Sequence, residues 1–221
     1  GAWMQFPPPV CTPKDIGPLD YIFISHIHED HCDPKTISEL DRNAKIVIMG
    51  NRPNFIAKFL DRHGFHFKDI IVIPPFEPTE IASGLSIEMI DADPSQPLAH
   101  MIDSSMILHT GGKSVFFAND NPPYEVALGH LSKYDYSLAL LPAAGGAGYP
   151  ACYDSLSDAR RREERDRIRL SYYQVFASTI QSLQPDRFMP VAGYHVISGR
   201  NHAINEQMSF LSDPAEAFSV V

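Results

Sequence analysis

The chain has 221 residues, 44% of them hydrophobic and 20% charged, which is typical of a globular domain and argues against disorder, a collagen or a coiled coil. At roughly 150 residues per domain, this length favours a single domain over residues 1–221. The net charge of −9 argues against nucleic acid and anionic membranes as partners.

Two further sequence features bear on where the protein acts. No apolar run reaches the roughly 18 residues of a transmembrane helix, so no membrane span is predicted. The three cysteines are few and odd in number, and no signal peptide is visible. This combination favours reduced thiols and a cytoplasmic location.

In the first half of the chain, apolar runs alternate with helical patterns. Strands are predicted over 20–25, 45–49, 70–73 and 85–90, the last alternating like a half-buried strand. Helices are predicted over 33–43, opened by Asp33 as cap and Pro34 at the first helical position, and over 54–63.

The second half begins with a hairpin, in which strands 105–109 and 114–118 flank Gly111 and Gly112. A helix, a strand, a long helix and a last strand follow, over 124–133, 136–141, 155–183 and 187–191. The whole pattern predicts a layered α/β fold with mixed strand pairing.

A dense group of metal-ligand side chains stands between the first strand and the first helix. The segment reads Ser25-His26-Ile27-His28-Glu29-Asp30-His31. In an extended or tightly turned segment, His26 and His28 point the same way, whereas Asp30 and His31 face a second position. Zinc, iron and manganese accept imidazole and carboxylate ligands together. The segment therefore predicts a metal site.

This segment resembles the His-x-His-x-Asp-His signature of the metallo-β-lactamase superfamily. The resemblance implies a metallo-β-lactamase-like αββα sandwich, with the site along one edge of its two sheets and with the first strands of the fold lacking here. The segments 119–121, 141–153 and 190–195 are most similar to the CMP-N-acetylneuraminate hydroxylase-like and ascorbate-lactonase-like branch.

The resemblance also implies ligands further along the chain. His100 stands where the family places a histidine before a strand, with Asp103 as a competing carboxylate because some oxygenases of the superfamily use one there. Asp120 follows the strand 114–118 and matches the family's metal-bridging aspartate, although Asn119 and Asn121 depart from the usual neighbours.

The last family ligand, a histidine after the final core strand, is replaced by Ala192. His195 is the first candidate to substitute for it and His202 the second. The expected metal ligands are His26, His28, Asp30, His31, His100, Asp120 and His195.

The resemblance implies a hydrolase that uses a metal-bound hydroxide on an ester, lactone, amide or phosphodiester, with a carbohydrate-linked small molecule as one candidate substrate. Asp30 is the expected catalytic residue, which orients the attacking water or accepts its proton. One or two divalent metal ions are expected, zinc first, with iron and manganese as alternatives. Two other functions stay open: a di-iron hydroxylase on the same fold, and a non-catalytic subunit. A homo-oligomer, or a partner that completes the first sheet, also stays open.

Overall fold

The computed structural model describes residues 8–50, 53–96, 103–145, 148–192, 199–205, 216–217 and 219. The chain divides into two compact units, Gly1–Met106 and Ile107–Val221. Strand β6, Ser104–Thr110, begins in the first unit and ends in the second. The single domain over 1–221 stays a prediction.

The first unit contains two sets of strands. The parallel set has the order β1-β2-β3, and the second set has the order β4-β5-β6, with β4 antiparallel to β5. The strands are β1 Tyr21–Phe23, β2 Lys45–Met49, β3 Asp69–Ile73, β4 Thr79–Ala82 and β5 Leu85–Asp91. The helices are α1 Pro34–Glu39 and α2 Phe55–Arg62, and a 3₁₀ turn covers Pro13–Asp15.

Side-chain caps determine where α1 begins. Asp33 Oδ2 accepts a hydrogen bond from Thr36 N at 2.6 Å, and Pro34 occupies the first turn, as predicted. The predicted end at residue 43 is wrong, because α1 ends at Glu39. The Asp41 carboxylate accepts hydrogen bonds from the backbone N–H of Asn43 and of Leu19, which supports a turn in place of another helical turn.

The core of the first unit is built around β2 and β5. Ile46 and Ile48 on β2 are fully buried and cluster with Leu60 of α2. On β5, residues 87–90 are all buried, including Glu88. The expectation of a half-buried β5 is therefore wrong, because both faces of this strand are covered.

The second unit holds the end of β6 and three further strands in the order β6-β7-β8-β9. β7 Lys113–Phe117, β8 Tyr136–Pro142 and β9 Phe188–Val191 run parallel. The predicted hairpin is confirmed, since Gly111 and Gly112 link β6 to β7 with φ of 59° and 78°, values that glycine adopts readily. The helices are α3 Glu125–Leu131 and α4 Asp158–Leu183, and a 3₁₀ turn covers Gly199–Ile204.

Helix α4 packs against β8. Phe176, Ile180 and Leu183 are buried along one side of it. In its first half, the Glu164 carboxylate lies 2.8 Å from the guanidinium groups of both Arg160 and Arg167. Within the described part of the chain, no helix is both long and apolar enough to cross a membrane.

Candidate metal centre

The histidine segment forms a tight turn directly after β1. The carbonyl oxygen of His28 accepts hydrogen bonds from His31 N at 3.0 Å and from Cys32 N at 2.8 Å. The turn brings the imidazole rings together, since the His26 ring centroid lies 4.6 Å from that of His28 and 4.2 Å from that of His31. The three rings therefore lie close together, and their role as metal ligands stays a prediction.

A carboxylate from a distant part of the chain joins two of these histidines. Asp103 immediately precedes β6, and its Oδ1 lies 3.8 Å from Nδ1 of His26. One ligand atom each from His26, His28 and Asp103 lies within 4.8 Å of the others. His26 is 1% exposed, Asp103 is partly buried and His28 is exposed, so the cluster has a buried base and an open side.

Two serines hold the base of this cluster. Ser104, fully buried at the start of β6, donates its hydroxyl to the carbonyl oxygen of Ser25 at 2.9 Å. Ser25 Oγ lies in turn 2.9 Å from Nδ1 of His26. The first bond ties the segment that carries Asp103 to the segment that carries His26 across 79 positions of sequence. Outer contacts of this kind fix the orientation of ligating histidines in metal sites.

The chemistry of this donor set fits a divalent metal. Two imidazoles and one carboxylate hold zinc in many catalytic sites, with a further position open for water. The same set of two histidines and one carboxylate holds non-haem iron in oxygenases. The sequence placed Asp103 only as a competitor of His100, which lies outside the described residues.

The remaining members of the signature lie at the solvent side of the turn. Asp30 is exposed, and its Oδ2 lies 3.6 Å from Nε2 of the partly buried His31. Cys32 is 1% exposed, and burial, followed by the negative charge of Asp33, raises the pKa of its thiol to about 11. Cys32 clusters with Ile24 and Ile37 in the hydrophobic core, so it is a packing residue of the first unit.

Asp120 belongs to the second unit, where it follows the end of β7. It is exposed, and Asn119 before it is buried with φ of 54°, a conformation for which asparagine is well suited. Burial, and secondly the Asp120 carboxylate, raise the pKa of the Tyr172 phenol on α4. The convergence of Asp120 with the histidines stays a prediction.

Of the two candidates for the last family ligand, His202 is among the described residues. His195 lies outside them. Ala192 is exposed directly after β9, with φ of 66°. His202 is exposed in the 3₁₀ turn Gly199–Ile204, and its Nδ1 lies 3.1 Å from the Gly199 carbonyl oxygen.

Two curated relatives resemble nearly the whole chain at low identity. A putative Rieske 2Fe-2S iron–sulfur protein from Mycolicibacterium smegmatis is 25% identical over 210 aligned positions, which cover 85% of this chain and 38% of the relative. The cytidine monophosphate-N-acetylneuraminic acid hydroxylase of Pongo pygmaeus is 25% identical over 237 positions, which cover 100% of this chain and 37% of the hydroxylase. The chain thus spans less than two fifths of the length of either relative.

Two solved structures share the fold. The isothiocyanate hydrolase from Delia radicum gut bacteria aligns with a TM-score of 0.62 and 14% identity, over 96% of this chain and 72% of that one. CmlA, a diiron beta-hydroxylase from Streptomyces venezuelae, aligns with a TM-score of 0.57 and 15% identity, over 90% of this chain and 39% of that one.

The family match agrees with the fold and with the histidine signature. Residues 2–145, well over half of the chain, match the family described as the Beta-lactamase superfamily domain. The predicted metallo-β-lactamase-like fold is confirmed by this match and by the solved structures. The chain therefore belongs to the beta-lactamase superfamily.

Proposed function

We propose that the protein is a metal-dependent hydrolase of a small molecule that carries an ester, lactone, amide or phosphodiester bond. The observation that carries this proposal is the cluster of ligand atoms from His26, His28 and Asp103 within 4.8 Å. A metal at this position, with His100 as an alternative third ligand, would polarise the scissile bond and make hydroxide available at neutral pH.

The residues of the chain have distinct roles in this proposal. His26, anchored through Ser25, supplies the buried ligand, and the exposed His28 completes the site on the side that substrate approaches. Asp30 has an exposed carboxylate at the same turn, 3.6 Å from His31. It would orient the attacking water and accept its proton at Oδ2.

A second metal position is the further part of the proposal. Its ligands would be Asp30, His31 and Asp120, completed by His195. Because Ala192 replaces the family's last histidine, the second metal would bind more weakly than the first, unless His195 substitutes for that histidine.

A second candidate function is hydroxylation with iron, and the Asp103 carboxylate favours it. Two histidines and one carboxylate are the ligand set of many iron oxygenases. The similarity to a hydroxylase over the whole chain supports this alternative, as does the shared fold with a diiron hydroxylase. Because that relative is a hydroxylase of cytidine monophosphate-N-acetylneuraminic acid, an acidic sugar nucleotide is the first substrate to test.

The test compares one protein loaded with different metals. Zinc-loaded protein should cleave p-nitrophenyl acetate, a lactone or bis(p-nitrophenyl) phosphate, and His26→Ala should abolish this cleavage while leaving the thermal transition in place. Oxygen-dependent turnover by the iron form only, with an inert zinc form, would reject hydrolysis in favour of hydroxylation.

The third ligand is tested separately. Asp103→Asn should lower zinc affinity strongly if Asp103 is a ligand, whereas His100→Ala should do so if the family position is used. Equal affinity in Asp103→Asn and wild type would remove Asp103 from the site.

A further inference from the structure

Within the second unit, the loops after β7 and β8 carry Asp120, a candidate metal ligand, and Gly145, which lies against a tyrosine of α4. β7 and β8 are parallel neighbours, with Phe117 opposite Leu140, so their carboxyl ends lie at the same edge. Asp120 comes three residues after the end of β7, and Gly145 comes three residues after the end of β8. In open α/β sheets, this carboxyl edge is where ligands bind.

Tyr172 of α4 covers Gly145 at this edge. A Cβ at Gly145 would overlap the Tyr172 hydroxyl and lie 2.6 Å from Cζ and 2.8 Å from Cε2. The phenol therefore lies directly on the Gly145 backbone, and any side chain at position 145 would collide with it. The Asp120 charge acts on the same phenol, which agrees with their common place at the edge.

The Tyr172 hydroxyl is available to a ligand. The structure gives it no hydrogen bond to any of the described residues, and the side chain is partly exposed. The neighbouring Tyr173 differs, because its hydroxyl donates to Glu216 Oε2 at 3.1 Å and its side chain is buried. A partly buried phenol whose hydroxyl bonds to none of the described residues is suited to donate to an oxygen of a bound molecule.

We propose that Tyr172 is a substrate-binding residue, whose hydroxyl donates a hydrogen bond to a carbonyl or phosphoryl oxygen of the substrate beside Asp120, and that Gly145 is required to leave the phenol this position. The inference rests on the proposed function, because it takes Asp120 to be part of the metal site. It makes a hydrogen-bond-accepting oxygen on the reacting group of the substrate the feature that Tyr172 recognises.

The experiment measures binding as well as turnover. Zinc-loaded protein, freed of excess metal, is titrated with inorganic phosphate by calorimetry, and zinc content is measured on the same samples. Tyr172→Phe should weaken phosphate binding about tenfold, as expected for the loss of one hydrogen bond to a charged acceptor. Gly145→Ala should weaken it similarly, because its methyl displaces the phenol. Tyr173→Phe is the matched control and should bind phosphate as wild type does.

The outcomes separate this inference from the proposed function. Unchanged phosphate affinity in Tyr172→Phe, or a wild-type protein that binds no phosphate, would overturn the role of Tyr172. Loss of zinc from Tyr172→Phe would overturn it too, because the hydroxyl would then serve the metal ligands. If wild type binds phosphate through Tyr172 but cleaves no ester, lactone or phosphodiester, the hydrolase proposal fails while the assignment of Tyr172 stands.

Discussion

The hydrogen bond from Ser104 to Ser25 fixes the backbone next to His26 to the start of β6. Ser104→Ala removes the hydroxyl that donates to the Ser25 carbonyl oxygen. Because both serines are buried, this substitution takes a hydrogen bond away from a buried acceptor. Removing one partner of a buried hydrogen bond costs about 1–3 kcal/mol of unfolding free energy. In a chain of this length, a loss of about 2 kcal/mol lowers Tm by roughly 4–8 °C.

The same substitution should weaken metal binding, because Ser25 lies against Nδ1 of His26. Loss of such an outer contact typically lowers metal affinity roughly 10–100-fold. The assay pairs calorimetric unfolding of the metal-free protein with a zinc titration against a competing chelator. Ser178→Ala is the control, since its exposed hydroxyl bonds only to the Val175 carbonyl oxygen within the same helix. A Ser104→Ala protein with wild-type Tm and wild-type zinc affinity would refute the reasoning.

Three further predictions concern the rest of the chain. Because the pKa of Cys32 rises from 9.0 to about 11, its thiolate fraction at pH 8 falls about 100-fold. Iodoacetamide should therefore label the exposed Cys11 and Cys152 well before Cys32. Equal labelling rates for the three thiols would contradict this. Asp33→Ala should cost about 1 kcal/mol in urea unfolding at pH 7, whereas Asp33→Asn, which keeps the cap, should cost little. The pKa of Asp33 is held below 3.8, chiefly by the backbone N–H of Thr36, so the charge-dependent part of this contribution is present above that pH and is lost as the pH falls below it. An Asp33→Ala protein as stable as wild type at pH 7 would count against the cap. If Ala192 leaves the second metal position incomplete, a chelator should strip one metal equivalent before the other, whereas simultaneous loss would show that His195 completes it.

The sequence predicted most elements correctly where a local signal was strong. Asp33 with Pro34 predicted the start of α1, and the Gly111-Gly112 pair predicted the hairpin. β4 was missed because Thr79–Ala82 is short and half exposed, with no run of apolar residues. β5 was taken as half buried because Glu88 interrupts its apolar residues, whereas this carboxylate is buried in the folded chain.

In the candidate site, too, contacts between residues that are close in sequence were predicted and those brought about by the fold were not. His26, His28 and His31 are close in sequence, so one turn is enough to bring them together, and the motif predicted this. Asp103 comes from the start of β6, and only the fold shows that its carboxylate reaches His26. Tyr172 gave no signal beyond its place on a helix, because its contact with Gly145 depends on how α4 packs against β8.

The central claim is that His26, His28 and Asp103 hold a catalytic metal, and elemental analysis tests it most directly. The protein would be purified without added metal or chelator, and its zinc, iron and manganese contents measured beside those of His26→Ala. We expect a near-stoichiometric amount of one of these metals in wild type and its loss from a folded His26→Ala protein. A wild-type protein that neither contains nor takes up any of the three metals, or a His26→Ala protein that retains the full amount, would contradict the claim.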